Sequence, residues 1–158
     1  MFQRVTLIGR VGQEPQMRYT PDGVAVTSFS LATTETISKT MFDGRDRSCP
    51  QGWKESYNAK NWELTTWWRI TCWRKLGETV NQYLKKGQQV FVEGTVSGEA
   101  AEGSQNPRVW TGNDGVARAS FELTAREIKF LGSRGETAAG PPMGEPPPEG
   151  FEEDTLPF

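Results

Sequence analysis

Histidine is missing altogether from this 158-residue chain, and cysteine occurs only at Cys49 and Cys72. Without an imidazole, the side chain that titrates nearest neutral pH, most acid–base enzyme chemistry lacks its usual proton carrier, and no enzymatic activity is expected. Two isolated cysteines also fall short of the usual zinc-ligand spacings, so neither a metal nor another cofactor is expected. Cys72 reads as a small core residue, and Cys49, in a polar loop, as incidental. No run of roughly 18 apolar residues and no secretory pattern occur, which makes a reducing cytosol the expected compartment.

A strong charge of one sign is lacking too: 18 Lys and Arg stand against 20 Asp and Glu, a formal net charge of -2. The balance is uneven along the chain. Residues 1–131 carry 17 cations and 14 anions, a balance of +3, whereas residues 132–158 carry 1 and 6, a balance of -5. A slightly basic body therefore bears an acidic tail. A body of about 130 residues buries roughly two thirds of its unfolded surface, so it needs no disulfide or metal staple.

What the chain does have is tryptophan in an unusual setting. Thr65 to Leu76, TTWWRITCWRKL, holds three of the six tryptophans together with Arg69, Arg74 and Lys75. As a strand of period two, it sets Trp67, Arg69, Thr71 and Trp73 on one face and Trp68, Ile70 and Cys72 on the other. The second face suits a core. Aromatic residues favour any strand, buried ones included, but Arg69 between two tryptophans argues for exposure, since an unpaired buried cation is costly. An exposed face of this kind can stack flat bases and pair their phosphates.

Around that strand the chain reads as short β elements. Phe2 to Val11 alternates, with Val5 and Leu7 on one face and Arg4, Thr6 and Ile8 on the other, and Gly9 and Gly12 mark close approach or curvature. Met17 to Thr20 and Val24 to Thr33 flank a Pro21-Asp22-Gly23 turn. Thr34 to Thr65 loses periodicity and reads as a long loop, with Trp53, Tyr57 and Trp62 among Arg45, Arg47, Lys54 and Lys60. Two readings of this loop stand open. It is a basic flap whose aromatics meet the same ligand as Trp67 and Trp73, or Trp53 and Trp62 pin it to its own domain.

Lys75 to Lys86 has helical spacing, with Leu76, Val80, Tyr83 and Leu84 on one side and Gly87 suited to the position after the helix. Gln89 to Val96 is a strand with Val90 and Val92 inward. Ser97 to Asn106 reads as a second loop, Arg108 to Thr111 precedes a Gly112 to Gly115 turn, and Phe121 to Leu131 is the last strand. The predicted fold class is all-β with one short helix: a five-stranded OB-fold barrel (oligonucleotide/oligosaccharide-binding) with extended β-hairpin loops and a disordered C-terminal tail.

The tail divides again. Of residues 132–158, 11 of 27 are Gly or Pro, a composition that cannot offset its ordering entropy. The domain expectation is thus a barrel over 1–131, a disordered linker over 132–150 and a tip over 151–158. In that tip, Glu152, Glu153 and Asp154 precede Leu156, Pro157 and a terminal Phe158, the layout of a docking peptide for a basic groove.

With these segments in hand, the chain resembles the bacterial single-stranded DNA-binding proteins (SSB). The resemblance is carried by VTLIGRVGQEPQMRYTPDG, VTSFSLAT, TTWWRITCWRKLGETVNQYLKKGQQVFVEG, VWTGNDG and the acidic tip ending LPF. It implies a cytoplasmic, nucleoid-associated homotetramer of OB barrels that wraps single-stranded DNA without sequence preference during replication, recombination and repair. By the same resemblance Trp67, Trp73 and Trp110 stack bases, while Arg4, Arg10, Arg18, Arg69, Lys75 and Lys86, with Arg108 beside Trp110, contact the DNA backbone. Trp53 or Trp62 stands in for a further stacking aromatic of the family, where this chain has Ile37. Trp68 falls near a subunit contact, and the tip recruits replication and repair proteins. The tip reads EEDTLPF rather than the family's commoner run of aspartates ending Ile-Pro-Phe. An RNA-binding OB-fold protein is the alternative; a nuclease is disfavoured because the body's acids are scattered.

Overall fold

A strand that alternates apolar and polar residues can bury only one face, and a sheet of such strands removes its edges by closing on itself. In the computed structural model, which describes residues 2–41, 44–101, 104–112 and 115–131, the chain does this. The elements in order are β1 (Val5–Val11), β2 (Gln16–Tyr19), β3 (Ala25–Ser38), β4 (Lys54–Glu55), β5 (Asn61–Trp73), α1 (Arg74–Tyr83), β6 (Gln89–Ser97), β7 (Glu99–Ala101), β8 (Ser104–Asn106), β9 (Val109–Thr111), β10 (Ala117–Ala119) and β11 (Phe121–Phe130). Strand β1 pairs antiparallel with β3 and with β6, β6 with β11, and β11 runs parallel to β5. Antiparallel pairing of β3 with β5 closes the ring. The result is the expected five-stranded barrel.

Inside it lie Val11, Phe29, Leu31, Ile70, Cys72, Val90, Val92 and Leu123, all buried. Each fully buried Val, Leu or Ile contributes about 1.5 to 3 kcal/mol. Burial pushes the Cys72 thiol up to about 12, so it stays protonated and inert in the core. A register shift between Ala125 and Glu127 on β11 helps bend the sheet. At one end α1 plugs the barrel with Val80, joined by Leu84 just after the helix. The buried Thr27 hydroxyl ties helix to strand by donating to the Gly77 carbonyl at 2.8 Å.

Four sequence-based expectations need correction. Thr34 to Thr65 is not all loop: β3 and β5 continue as a paired ribbon out to Ser38 and Asn61, with β4 added along β5. A two-stranded ribbon that is wet on both faces needs no apolar stripe, so periodicity gave no sign of it. Likewise Ser97 to Asn106 contains the hairpin β7–β8. The helix spans Arg74–Tyr83 rather than Lys75 to Lys86, and Tyr83 points outward at 57% exposure. Finally, Gly87 has φ +85, but it serves a turn in which Gln88 N–H donates to Lys85 O at 3.2 Å, not a helix cap. Among the described residues no helix is long and apolar enough to cross a membrane.

Candidate nucleic-acid interface

Residues directly opposite one another in a sheet share a face, so the register of β5 with its neighbours builds the site. Trp67 stands opposite Ala32, Arg69 opposite Ser30, Thr71 opposite Ser28 and Trp73 opposite Val26. Beyond β3, Arg10 of β1 lies opposite Ala32, and Arg18 of β2 opposite Val26. On the other flank Glu122 of β11 lies beside Arg69. One outer face therefore carries Arg10–Ala32–Trp67 in one row, Ser30–Arg69–Glu122 in the next and Arg18–Val26–Trp73 in a third. Trp67 and Trp73 are separated by six strand positions, about 20 Å.

Bulk alternates across this face. On β3 the outward positions Ser28, Ser30 and Ala32 are all small beside the large side chains of β5. Trp73 is 39% exposed and Trp67 half-buried. The turn from β5 into α1 is made by Arg74 at φ 54, in the left-handed region that non-glycine residues seldom adopt.

The charge on this face is crowded. Arg69 has its pKa lowered, chiefly by burial; the Glu122 carboxylate opposes that shift, while Arg108 and Arg18 add to it. Guanidinium groups from β2 and from the segment before β9, and one carboxylate from β11, thus all lie within electrostatic reach of Arg69. The hairpin β9–β10 sets Arg118 opposite Trp110, with the guanidinium carbon 5.5 Å from the indole centroid. Arg108 lies in the segment just before β9, two residues from Trp110.

The remaining candidates fall elsewhere. Lys75 is exposed in the first turn of α1. Arg10 Nη1 donates to Gly87 O at 3.3 Å, which brings it beside exposed Lys86, and the Lys86 N–H donates to Glu14 Oε1 at 3.3 Å. Arg4 belongs to the β1–β6 side, paired with Glu93 at 3.1 Å and stacked on Phe2. Trp62 is an even-numbered position of β5 and faces away from Trp67. Its Nε1 donates to Arg47 O at 3.1 Å and Lys39 Nζ lies 4.4 Å over its ring, so it braces the ribbon. Trp53 is half-buried in the turn before β4. Trp68 packs inward, donating to Thr33 Oγ1 at 3.0 Å and tilting against Phe121. Glu152, Glu153, Asp154, Leu156, Pro157 and Phe158 lie outside the described residues.

Two features escaped sequence reasoning. The small residues Ser28, Ser30 and Ala32 were visible as alternation with Phe29 and Leu31, but only the register shows what they lie beside. Arg118 was reachable by counting back from the Gly112 to Gly115 turn to its partner Trp110.

A five-stranded barrel with partly exposed aromatics and crowded cations along one outer face defines a class, the OB-fold proteins. Comparison with known proteins narrows it. The model of the "Single-strand binding protein family" matches residues 2–131. The chain is 38% identical over 144 residues to the single-stranded DNA-binding protein of Neisseria meningitidis, covering 91% of this chain and 68% of that one. It is 36% identical over 135 residues to that of Xanthomonas axonopodis pv. citri, covering 85% and 61%. In fold it is similar to a chain of the solved "Plasmodium falciparum SSB complex with ssDNA", with a TM-score of 0.57, 24% identity and coverage of 84% of this chain and 97% of that one. The chain belongs to the Single-strand binding protein family.

Proposed function

We propose that this protein binds single-stranded DNA without sequence preference, stacking bases on Trp67, Trp73 and Trp110 and holding phosphates with Arg18, Arg69 and Arg108. The observation that carries this reading is the shared outer face: both β5 tryptophans lie in register rows with Arg10 and Arg18, and Arg108 comes within electrostatic reach of Arg69. Every base has a π-face, so stacking is indifferent to sequence and contributes about 1 to 3 kcal/mol per base. Crowded guanidinium groups favour a polyanion, which relieves their mutual repulsion. Arg10, Lys75 and Lys86 extend the cationic path. The names of the relatives and of the solved complex support the choice of ligand.

On this reading the protein is a binding protein of replication, recombination and repair, held in the cytoplasm at the nucleoid. Exposed Ile8 and half-buried Phe91, opposite each other on the outer face of β1 and β6, suit a contact between copies in a homotetramer. The acidic tip over 151–158, on a linker of 132–150, recruits partner proteins.

Titration of intrinsic tryptophan fluorescence with oligo-dT tests this. Quenching that is lost, with affinity reduced at least about tenfold, in a Trp67→Ala/Trp110→Ala variant is the expected result. Unchanged affinity in that variant, or stronger binding of poly-U than oligo-dT, contradicts the reading. The same titration on a chain ending at Gly150 should give equal or tighter DNA binding while capture of replication proteins is lost.

A further inference from the structure

The indole of Trp67 reaches from β5 across β3 toward the end of β1, and the outward positions along its path are all small. Its partner across the pair is Ala32, only 4% exposed although it lies on the outer face. Ser30 comes next, its Oγ buried with no hydrogen-bond partner. Then comes Gly12, whose N–H donates to Ser30 O at 2.9 Å. A Cβ placed on Gly12 would collide with Trp67 Cζ3, and would lie 2.9 Å from Trp67 Cη2 and 2.8 Å from Ser30 Oγ. Real Cβ atoms do not approach so closely. The φ of Gly12 is not in the left-handed region, so it is not φ that demands glycine here. What the position requires is the missing side chain.

We propose that Gly12 is a positioning residue for DNA binding: its bare Cα is the seat on which the Trp67 ring rests. This rests on the stacking reading above and deepens it. A methyl group there has two neighbours. Ser30 can swing its hydroxyl away by changing one torsion, but the rigid, planar indole can only lift or tilt as a unit. A stacking platform works by presenting its ring at one height and angle. Tilting it removes the contact with the base while leaving the tryptophan in place.

The test is a double-mutant cycle of Gly12→Ala and Trp67→Ala, read by oligo-dT affinity at fixed salt well below the melting temperature. Each single variant is expected to weaken binding about tenfold. The double variant should match Trp67→Ala within about twofold, because without the indole the methyl displaces nothing. A general structural role for Gly12 does not produce that convergence. Losses that multiply toward about a hundredfold in the double variant overturn the proposal. So does parental affinity in Gly12→Ala alongside weakened Trp67→Ala. Parental affinity in Trp67→Ala removes the stacking reading itself, and the proposal with it. If Gly12→Ala fails to fold, thermal melts decide: recovery of a cooperative transition in the double variant supports the seat, and failure of both to fold overturns it.

Discussion

Two outer faces of the same barrel use charge in opposite ways. On the β1–β6–β11 side, Arg4 pairs with Glu93 and Lys129 with Glu127, each at 3.1 Å. Their cations also lie over rings, Arg4 over Phe2 at 5.3 Å and Lys129 over Phe91 at 5.6 Å. On the β3–β5 side, Arg69 has two further guanidinium groups near it and one carboxylate against them. Strain follows the same division. The non-glycine residues with positive φ among the described residues are Ala59 and Arg74, just outside the two ends of β5. The first face pairs its cations singly with neighbouring carboxylates, whereas around Arg69 guanidinium groups gather from three segments and backbone strain sits at the end of β5, an arrangement suited to an anion and flat rings.

The sharpest break in this contrast comes from removing the crowd. Replacing Arg18, Arg69 and Arg108 together by Gln should flatten the slope of log affinity against log salt by about 2, from about 0.7 per phosphate contact on single strands. At about 0.1 M salt that corresponds to roughly a hundredfold loss of oligo-dT affinity. An unchanged slope would mean the three guanidinium groups meet no phosphate, and the assignment of this face would fall.

Legibility followed burial. The opposed faces of β5 were readable because Ile70 and Cys72 had to be buried, and period two then placed Trp67, Arg69 and Trp73 together. The helix plugging the barrel was readable from Leu76, Val80 and Leu84 for the same reason. Where both faces of an element are wet, the pattern carries no signal, which is why the ribbon from Thr34 to Thr65 read as loop. Nor does alternation say which strand lies alongside. Arg18 and Arg69 are far apart in sequence, and their approach needs the pairings of β2 with β3 and of β3 with β5.

A moderate effect is expected where the strain is held. Arg74 adopts φ 54 immediately after Trp73, and its guanidinium has no hydrogen bond or ion pair among the described residues. Glycine adopts this conformation at no steric cost, so Arg74→Gly should stabilise the folded protein by about 1 kcal/mol in urea unfolding. Removal of one cation from the rim should weaken oligo-dT binding by no more than about fivefold at about 0.1 M salt. Stability and affinity are thus expected to move in opposite directions. A loss of stability would show that the surroundings do not impose the conformation on arginine at a cost, and the strain half of the contrast would have to be dropped.

The smallest effect is expected on the other face, and it tests whether the contrast is one of arrangement or merely of charge count. Replacing Arg4 and Lys129 together by Gln removes two cations, nearly as many as the triple variant above, but each already has its carboxylate at 3.1 Å. Exposed pairs of this kind contribute about 0 to 1 kcal/mol, so stability should fall by no more than about 1 kcal/mol per pair. For DNA the argument is stronger. Both cations stand on the β1–β6–β11 side, away from the face that carries Trp67 and Trp73, so the salt slope should stay within about 0.3 of the parent. If this variant flattens the slope as steeply per charge as the arginine variant does, DNA must pass over both faces. The β1–β6 side would then be part of the wrapping path rather than a contact between copies.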